Sequence, residues 1–406
     1  MNPNASRIPA ASQRARRDRR PFVALAWLAI VLATERWYDW HKPIALQFGG
    51  DVSTYERIAR AAPSLPDQPL LTQHAQRFPV HWLVGSLAHA TGLGLHVAYW
   101  IAMGAALGAL VLVMHVLLVS AGGGPHVYAI CFGALVGSAY AFRFLLTVPG
   151  MLADAVFLVG LSLVVLSLIR NDFRLLVGGL ALATLGRQTA LPLVLLAVAW
   201  IATGPGPRAR RIAAAVAVPT ILYAVVAAVA ASFAKNDFGG FTRFTIIGSL
   251  GEPRTLAAHF GRAALGIVLP AALVAGAWIR SGRRPSRAAW GCAAAAALVI
   301  AQPLVLGPAW VISNEARLAA LATPALVALA ALALRHAHLR PRETIGICVA
   351  LAVGSLHHLY SRLDPGRVGW VAVELAASAA VFGVLAWPRL ARTRKSEDAT
   401  VQHVLN

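Results

Sequence analysis

The stretch "LQFGGDVSTYERIARAAPSLPDQPLLTQHAQRFPVHWLVGSL", residues 46–87, places Asp51 directly behind two glycines in a chain that is otherwise strongly apolar. A carboxylate within hydrogen-bond reach of a hydroxyl can take its proton while the oxygen attacks, so Asp51 is a candidate general base. An aspartate after "FGG" is equally an ordinary turn or N-cap residue, able to cap a helix beginning near Ser53. Three further charged positions interrupt apolar runs, where a charge costs ~2.5 to 3.5 kcal/mol and so needs a partner or a role. Arg187 follows a glycine in "LATLGRQTALPL", Asp154 follows the turn "TVPGML", and Arg317 sits in "WVISNEARLAALATPAL".

Each of the three has a structural alternative. Arg187 can snorkel or cap a broken helix. Asp154 lies at a depth matching Arg143 on the preceding segment, which predicts a salt bridge between them. Arg317 belongs to a helix start that Ser313 or Asn314 can cap, with Glu315 favouring the positive helix end. The loop "AKNDFGGFTRFTIIGSLGEPRTLAAHFGR" adds Lys235, Arg243, Arg254, His259 and Arg262, a basic group that an anionic ligand would explain.

Other chemistries lack their residues. The sequence has no Gly-Lys-Ser/Thr phosphate loop, no His-Glu-x-x-His, no Cys-x-x-Cys and no Gly-x-Ser-x-Gly. No Asp-x-Asp pair lies in the loops read as external, and His357 and His358, about 100° apart on a helix, are poorly placed to share a metal. No cofactor is therefore expected, with a divalent metal left open. His81, His89, His96 and His115 are scattered, as packed or interfacial residues are.

The elements that position these groups follow from composition. The chain has 406 residues, 58% hydrophobic and 13% charged, with a mean hydropathy of +0.66. Soluble domains carry roughly 25% charged residues, so the expected fold is an all-α polytopic membrane protein. Its net charge of +20 does not imply nucleic acid, because the basic residues lie in short clusters between apolar stretches instead of on one face. Cys131, Cys292 and Cys348 lie within apolar stretches and imply no disulfide framework.

Apolar segments able to cross a ~30 Å core are read at 22–40, 94–119, 127–147, 151–169, 212–233, 264–279, 288–307, 317–334, 343–361 and 368–387. Runs 174–186 and 189–203 meet at Arg187 as a broken hairpin, giving 10–12 transmembrane helices in one domain, 21–388. The tails 1–20 and 389–406 read as disordered and basic. More than half of the 36 Lys and Arg fall in clusters that alternation puts on one side, so both termini are expected in the cytoplasm and the loop 41–93 outside. That loop is expected to hold two interfacial helices, "STYERIARAA" with Tyr55 on its apolar face, and "PVHWLVGSLAHATG".

With these pieces in place, the chain resembles the membrane glycosyltransferases of the GT-C superfamily, whose first helix is followed by a long external loop with an acidic catalytic residue. The matching pieces are "GGDVSTY", "RFPVHWLVGSLAHATG", "VPGMLADAVFLVGLSL", "GRQTALPLVLL" and "NEARLAALATPAL", spread over most of 20–340. The chain departs from metal-using members in having no second acid beside Asp51.

The resemblance implies a bacterial plasma-membrane enzyme that moves a sugar from a polyprenyl-phosphate donor in the membrane to an unidentified acceptor. Asp51 would then be the base. Arg187 and Arg317, with Arg254 and Arg262 in reserve, would bind the phosphate, and Tyr55 and Asp154 would complete the substrate site. The alternatives are a secondary transporter or lipid flippase, built on the broken hairpin, and an envelope polysaccharide polymerase or ligase. A non-catalytic membrane scaffold is the remaining class.

Overall fold

The computed structural model describes residues 19–34, 51–235, 246–306, 314–355 and 366–405. It is an all-α polytopic membrane protein. Six described helices are long and apolar enough to cross a membrane: Leu95–Ser120, Pro149–Arg170, Arg208–Ala231, Pro253–Ser281, Arg287–Val305 and Val371–Ala391. A seventh candidate is the pair Pro125–Val136 and Ala139–Thr147, long and apolar enough together but bent by 62° at the break between them. Four shorter apolar helices, Arg20–Thr34, Phe173–Gly186, Gln188–Ala202 and Thr323–Leu334, account for much of the remaining expected count.

Backbone breaks set three of these apart: a span needs ~20 residues at ~1.5 Å each, and the runs around Arg187 and before Thr323 are interrupted. The fourth, Arg20–Thr34, ends where the described residues do. At Arg187 the chain is extended, φ −153° and ψ 133°, between the helix ending at Gly186 and a short turn over Gln188–Ala190. Residues 389–405, expected to be disordered, continue the helix Gly366–Leu405. No glycine or proline follows Pro388 to stop it. Residues 1–18 of the N-terminal tail, Arg243, His357 and His358 lie outside the described residues.

The pair Pro149–Arg170 and Phe173–Gly186 packs along a seam of small residues. A Cβ on Gly160 would stand 2.3 Å from Ala183 N, and one on Gly186 would stand 2.7 Å from Ala153 O. Only glycine lets these backbones approach so closely. The seam brings the end of the second helix, and with it Arg187, against the start of the first, where Asp154 lies.

The described members of the basic clusters share the other end of the bundle. Arg20 donates to Gly123 O, Arg170 to Ser120 Oγ, and Arg280 to both His338 O and Glu343. Arg287 lies 3.9 Å over the Trp200 ring. Asp154 and Arg170 occupy opposite ends of one helix, ~24 Å apart at the helical rise.

Between the first helix and Leu95 the described chain forms Asp51–Ala61, a short turn of helix at Thr72–Ala75, and Phe78–Thr91. The two longer helices agree with the expected pair to within two residues. Residues Leu70–Leu71 pair in parallel with Ala234–Lys235, which ties this region to the end of the helix Arg208–Ala231. The face of Asp51–Ala61 carrying Val52, Tyr55, Ile58 and Ala59 is buried in protein, so amphipathicity here serves packing.

Candidate functional site

Asp51 is the first residue of its helix, and its carboxylate is directed at side chains. Oδ1 lies 3.0 Å from His74 Nε2 and Oδ2 lies 3.5 Å from an Arg317 terminal nitrogen. Burial alone would raise its pKa. The His74 hydrogen bond and the charges of His74, Arg317 and Arg77 outweigh that, holding the carboxyl well below the usual carboxylate range.

The loop is held in place from below. Arg77, at the N-cap of Phe78–Thr91, donates to the Tyr55 hydroxyl. The Tyr55 ring stacks on His81 with centroids 4.1 Å apart. His81 Nδ1 lies 2.9 Å from the Tyr99 hydroxyl, which donates to Tyr55 O. Burial first, then the Arg77 charge, push His81 down to about 3, so it is a neutral hydrogen-bonding residue at ordinary pH.

Arg187 pairs with Asp154 Oδ1, and Arg317 Nε lies 3.7 Å from Asp154 Oδ2. Both arginines and the aspartate are buried. An isolated buried charge is costly, so the three are stable there because each has an opposite neighbour. A continuous chain of contacts results, from Arg187 through Asp154, Arg317 and Asp51 to His74.

All of these groups but Asp154 border one cavity of about 500 Å³, within the size range of small-molecule sites. Its charged wall is Asp51, His74, Arg77, Arg187 and Arg317. Three guanidiniums thus face one carboxylate in the wall and a second, Asp154, behind it. The nitrogens Arg187 Nε and Arg317 Nε are buried without a hydrogen-bond partner. The arrangement favours an anion, for which the planar fork of arginine is well suited.

Several expectations are corrected. Tyr55 does not line the cavity; it is buried beneath Asp51, because its hydroxyl is taken by Arg77 and its ring by His81. Asp154 also stays out of the wall, drawn behind it by the two arginines. Its partner is Arg187 and not Arg143, which hydrogen-bonds Ser355 and Thr34 instead. Arg254 is exposed in the first turn of Pro253–Leu265. Arg262, on the same helix, binds Glu315 at 3.0 Å, beside His259 Nδ1 at 3.0 Å from the same carboxylate. Glu315 therefore carries a buried side-chain network, and Asn314, at the N-cap, makes no side-chain cap bond.

Two wall residues were not singled out in the sequence, His74 and Arg77. Both lie in the polar run "LTQHAQRF", where one more polar residue stands out little. The available signal was Arg77 at the start of a helix whose next two residues are Phe78 and Pro79. Among the described residues no three His, Cys, Asp or Glu side chains gather as a metal site. Compared with known proteins, the chain matches no family model, and no curated protein or solved structure is significantly similar to it.

Proposed function

We propose that the chain is a membrane glycosyltransferase that moves a sugar from a polyprenyl-phosphate donor to an acceptor hydroxyl, with Asp51 as general base. The observation that carries this reading is the single cavity in which Asp51 meets Arg77, Arg187 and Arg317, at the end of the bundle away from the basic clusters. The charge rule favours the non-cytoplasmic side for that end, which this reading takes as the external face of a plasma membrane.

In this reading the donor phosphate lies against Arg187 and Arg317, and the acceptor hydroxyl lies against Asp51. The acceptor oxygen forms its bond to the sugar C1 as the bond from C1 to the phosphate oxygen breaks. The proton passes to Asp51, and the negative charge gathering on the departing phosphate is met by the guanidiniums. One base and direct displacement give inversion at C1. Asp51 starts as a weak base because Arg317 and His74 stabilise its anion. A phosphate on Arg317 draws that guanidinium's charge away and raises the proton affinity of Asp51 when the donor is bound.

The test is transfer of labelled sugar in membranes supplied with a panel of polyprenyl-phosphate sugars, wild type against Asp51→Asn at matched expression. Donor-dependent transfer that the variant loses supports the reading. No transfer from any donor, together with substrate-dependent uptake into vesicles, replaces it with a transporter.

A further inference from the structure

The cavity has a second wall of different chemistry. Gln188, Thr189, Gln302 and Asn314 line it, all neutral and all able to hydrogen-bond. Gln188 Oε1 and Thr189 Oγ1 are buried with no hydrogen-bond partner. Gln302 Nε2 donates to Thr189 O, which fixes the Gln302 side chain across the turn. A buried acceptor left unpaired is destabilising, so these oxygens favour a ligand that brings hydrogen-bond donors.

Position adds to chemistry. Gln188 and Thr189 follow Arg187 directly in a short turn of helix, Gln188–Ala190, so their side chains begin ~4 to 7 Å along the chain from the guanidinium-bearing residue. A pyranose or furanose ring attached to a phosphate spans about that distance. The apolar residues Pro303, Leu306 and Leu318 complete this side of the cavity, and they suit the C–H face of a sugar ring. Arg187 and Arg317 border this wall, and in the proposed reading the donor phosphate occupies them, which leaves neutral groups for the ring.

We infer that Gln188, Thr189 and Gln302 form a sugar subsite selective for an uncharged, hydroxyl-rich ring over a uronic acid. This rests on the proposed phosphate site beside it. Gln188 Oε1 and Thr189 Oγ1 are covered in this conformation, so sugar hydroxyls donate to them as the two side chains turn into the cavity, while the amide of Gln302 keeps the Thr189 turn in register. A sugar carboxylate finds only acceptors and amides there, so it keeps an unpaired charge.

The experiment measures equilibrium binding to the purified full chain in lipid nanodiscs, with three probes: polyprenyl monophosphate, the same lipid carrying a neutral hexose, and the same lipid carrying a uronic acid. Wild type is expected to bind the neutral glycolipid ~10-fold more tightly than the bare lipid phosphate, as one or two net hydrogen bonds provide. The uronic acid should show no such gain. Thr189→Val, close to isosteric, and Gln188→Ala should each reduce the gain while the bare lipid phosphate binds as in wild type.

A gain of equal size for the uronic acid, or variants that weaken all three probes alike, would overturn the subsite alone. Failure of wild type to bind even polyprenyl monophosphate would overturn the phosphate reading and the subsite with it. Unfolding midpoints of both variants, compared with wild type, separate loss of binding from loss of fold.

Discussion

The carboxylate of Asp51 lies 3.5 Å from the guanidinium of Arg317, and the same guanidinium reaches Asp154 at 3.7 Å. One arginine therefore contacts both the candidate base and the acid that holds Arg187. Charge introduced at the phosphate position is felt at the base through a single side chain.

The first prediction concerns that arginine. Removing a preorganised donor to developing charge lowers turnover by ~10²- to 10³-fold, and removing a general base by ~10²- to 10⁴-fold. Arg317→Gln and Asp51→Asn are each expected to fall in these ranges. Arg317→Lys should recover only part of the loss, because an ammonium keeps the charge without the fork that spans two carboxylates. Full activity in Arg317→Lys would show that Arg317 acts as a point charge.

The second concerns Asp154, which touches both arginines but not the cavity. Asp154→Asn leaves Arg187 buried beside a neutral amide, and breaking one partner of a buried pair costs ~3 to 5 kcal/mol. The double variant Asp154→Asn with Arg187→Gln is expected to be more stable than Asp154→Asn alone, since no orphaned charge remains. A positioning role adds a kinetic signature. Donor KM should rise in Asp154→Asn, and Asp154→Glu should restore part of it. Unchanged donor KM in a folded Asp154→Asn would assign the residue to stability only.

Much of this site was legible because a charge inside an apolar run is expensive and stands out. Asp154, Arg187 and Arg317 were visible for that reason, and so was the break at Arg187. Pairing was less visible. Arg143 and Arg187 are both reasonable partners for Asp154 in sequence, and the choice is made by the Gly160 and Gly186 seam, which sets one helix hard against another. His74 and Arg77 were hidden for the opposite reason, being polar residues in a polar loop. The role of Glu315 was obscured because a carboxylate in a first turn already has a local explanation, the helix dipole, whereas its actual partners His259 and Arg262 come from another helix.

The third prediction is the pH response of Asp51. Its folded-state pKa lies below the value of ~3.9 expected for an unfolded aspartate, for the reasons given by its neighbours. A depressed carboxyl contributes stability that is complete above the unfolded pKa and is lost only as pH falls through the folded value. Between pH 5 and 8 Asp51 is ionised throughout. Initial transfer rates at limiting donor should therefore show no carboxylate limb in that window. An acid limb near pH 5 that is absent from Asp51→Asn would contradict the His74 and Arg317 contacts.

The fourth prediction tests how the loop carrying Asp51 is held. Gly85, in Phe78–Thr91, lies so close to the helix Asp51–Ala61 that an added Cβ would stand 1.9 Å from Ala59 O. That contact is with backbone, so the helices must part. Gly85→Ala is expected to cost ~1 to 3 kcal/mol as overpacking, and to reduce transfer by displacing Asp51 from Arg317, although Gly85 does not line the cavity. Gly178 is the control. It is also a glycine within a helix, but a Cβ there meets nothing within 4 Å. Replacing glycine by alanine in a helix is favourable by up to ~1 kcal/mol, so Gly178→Ala should be neutral or mildly stabilising with transfer unchanged. If Gly85→Ala matches Gly178→Ala in unfolding midpoint and rate, the close packing of the two loop helices does not set the position of the base.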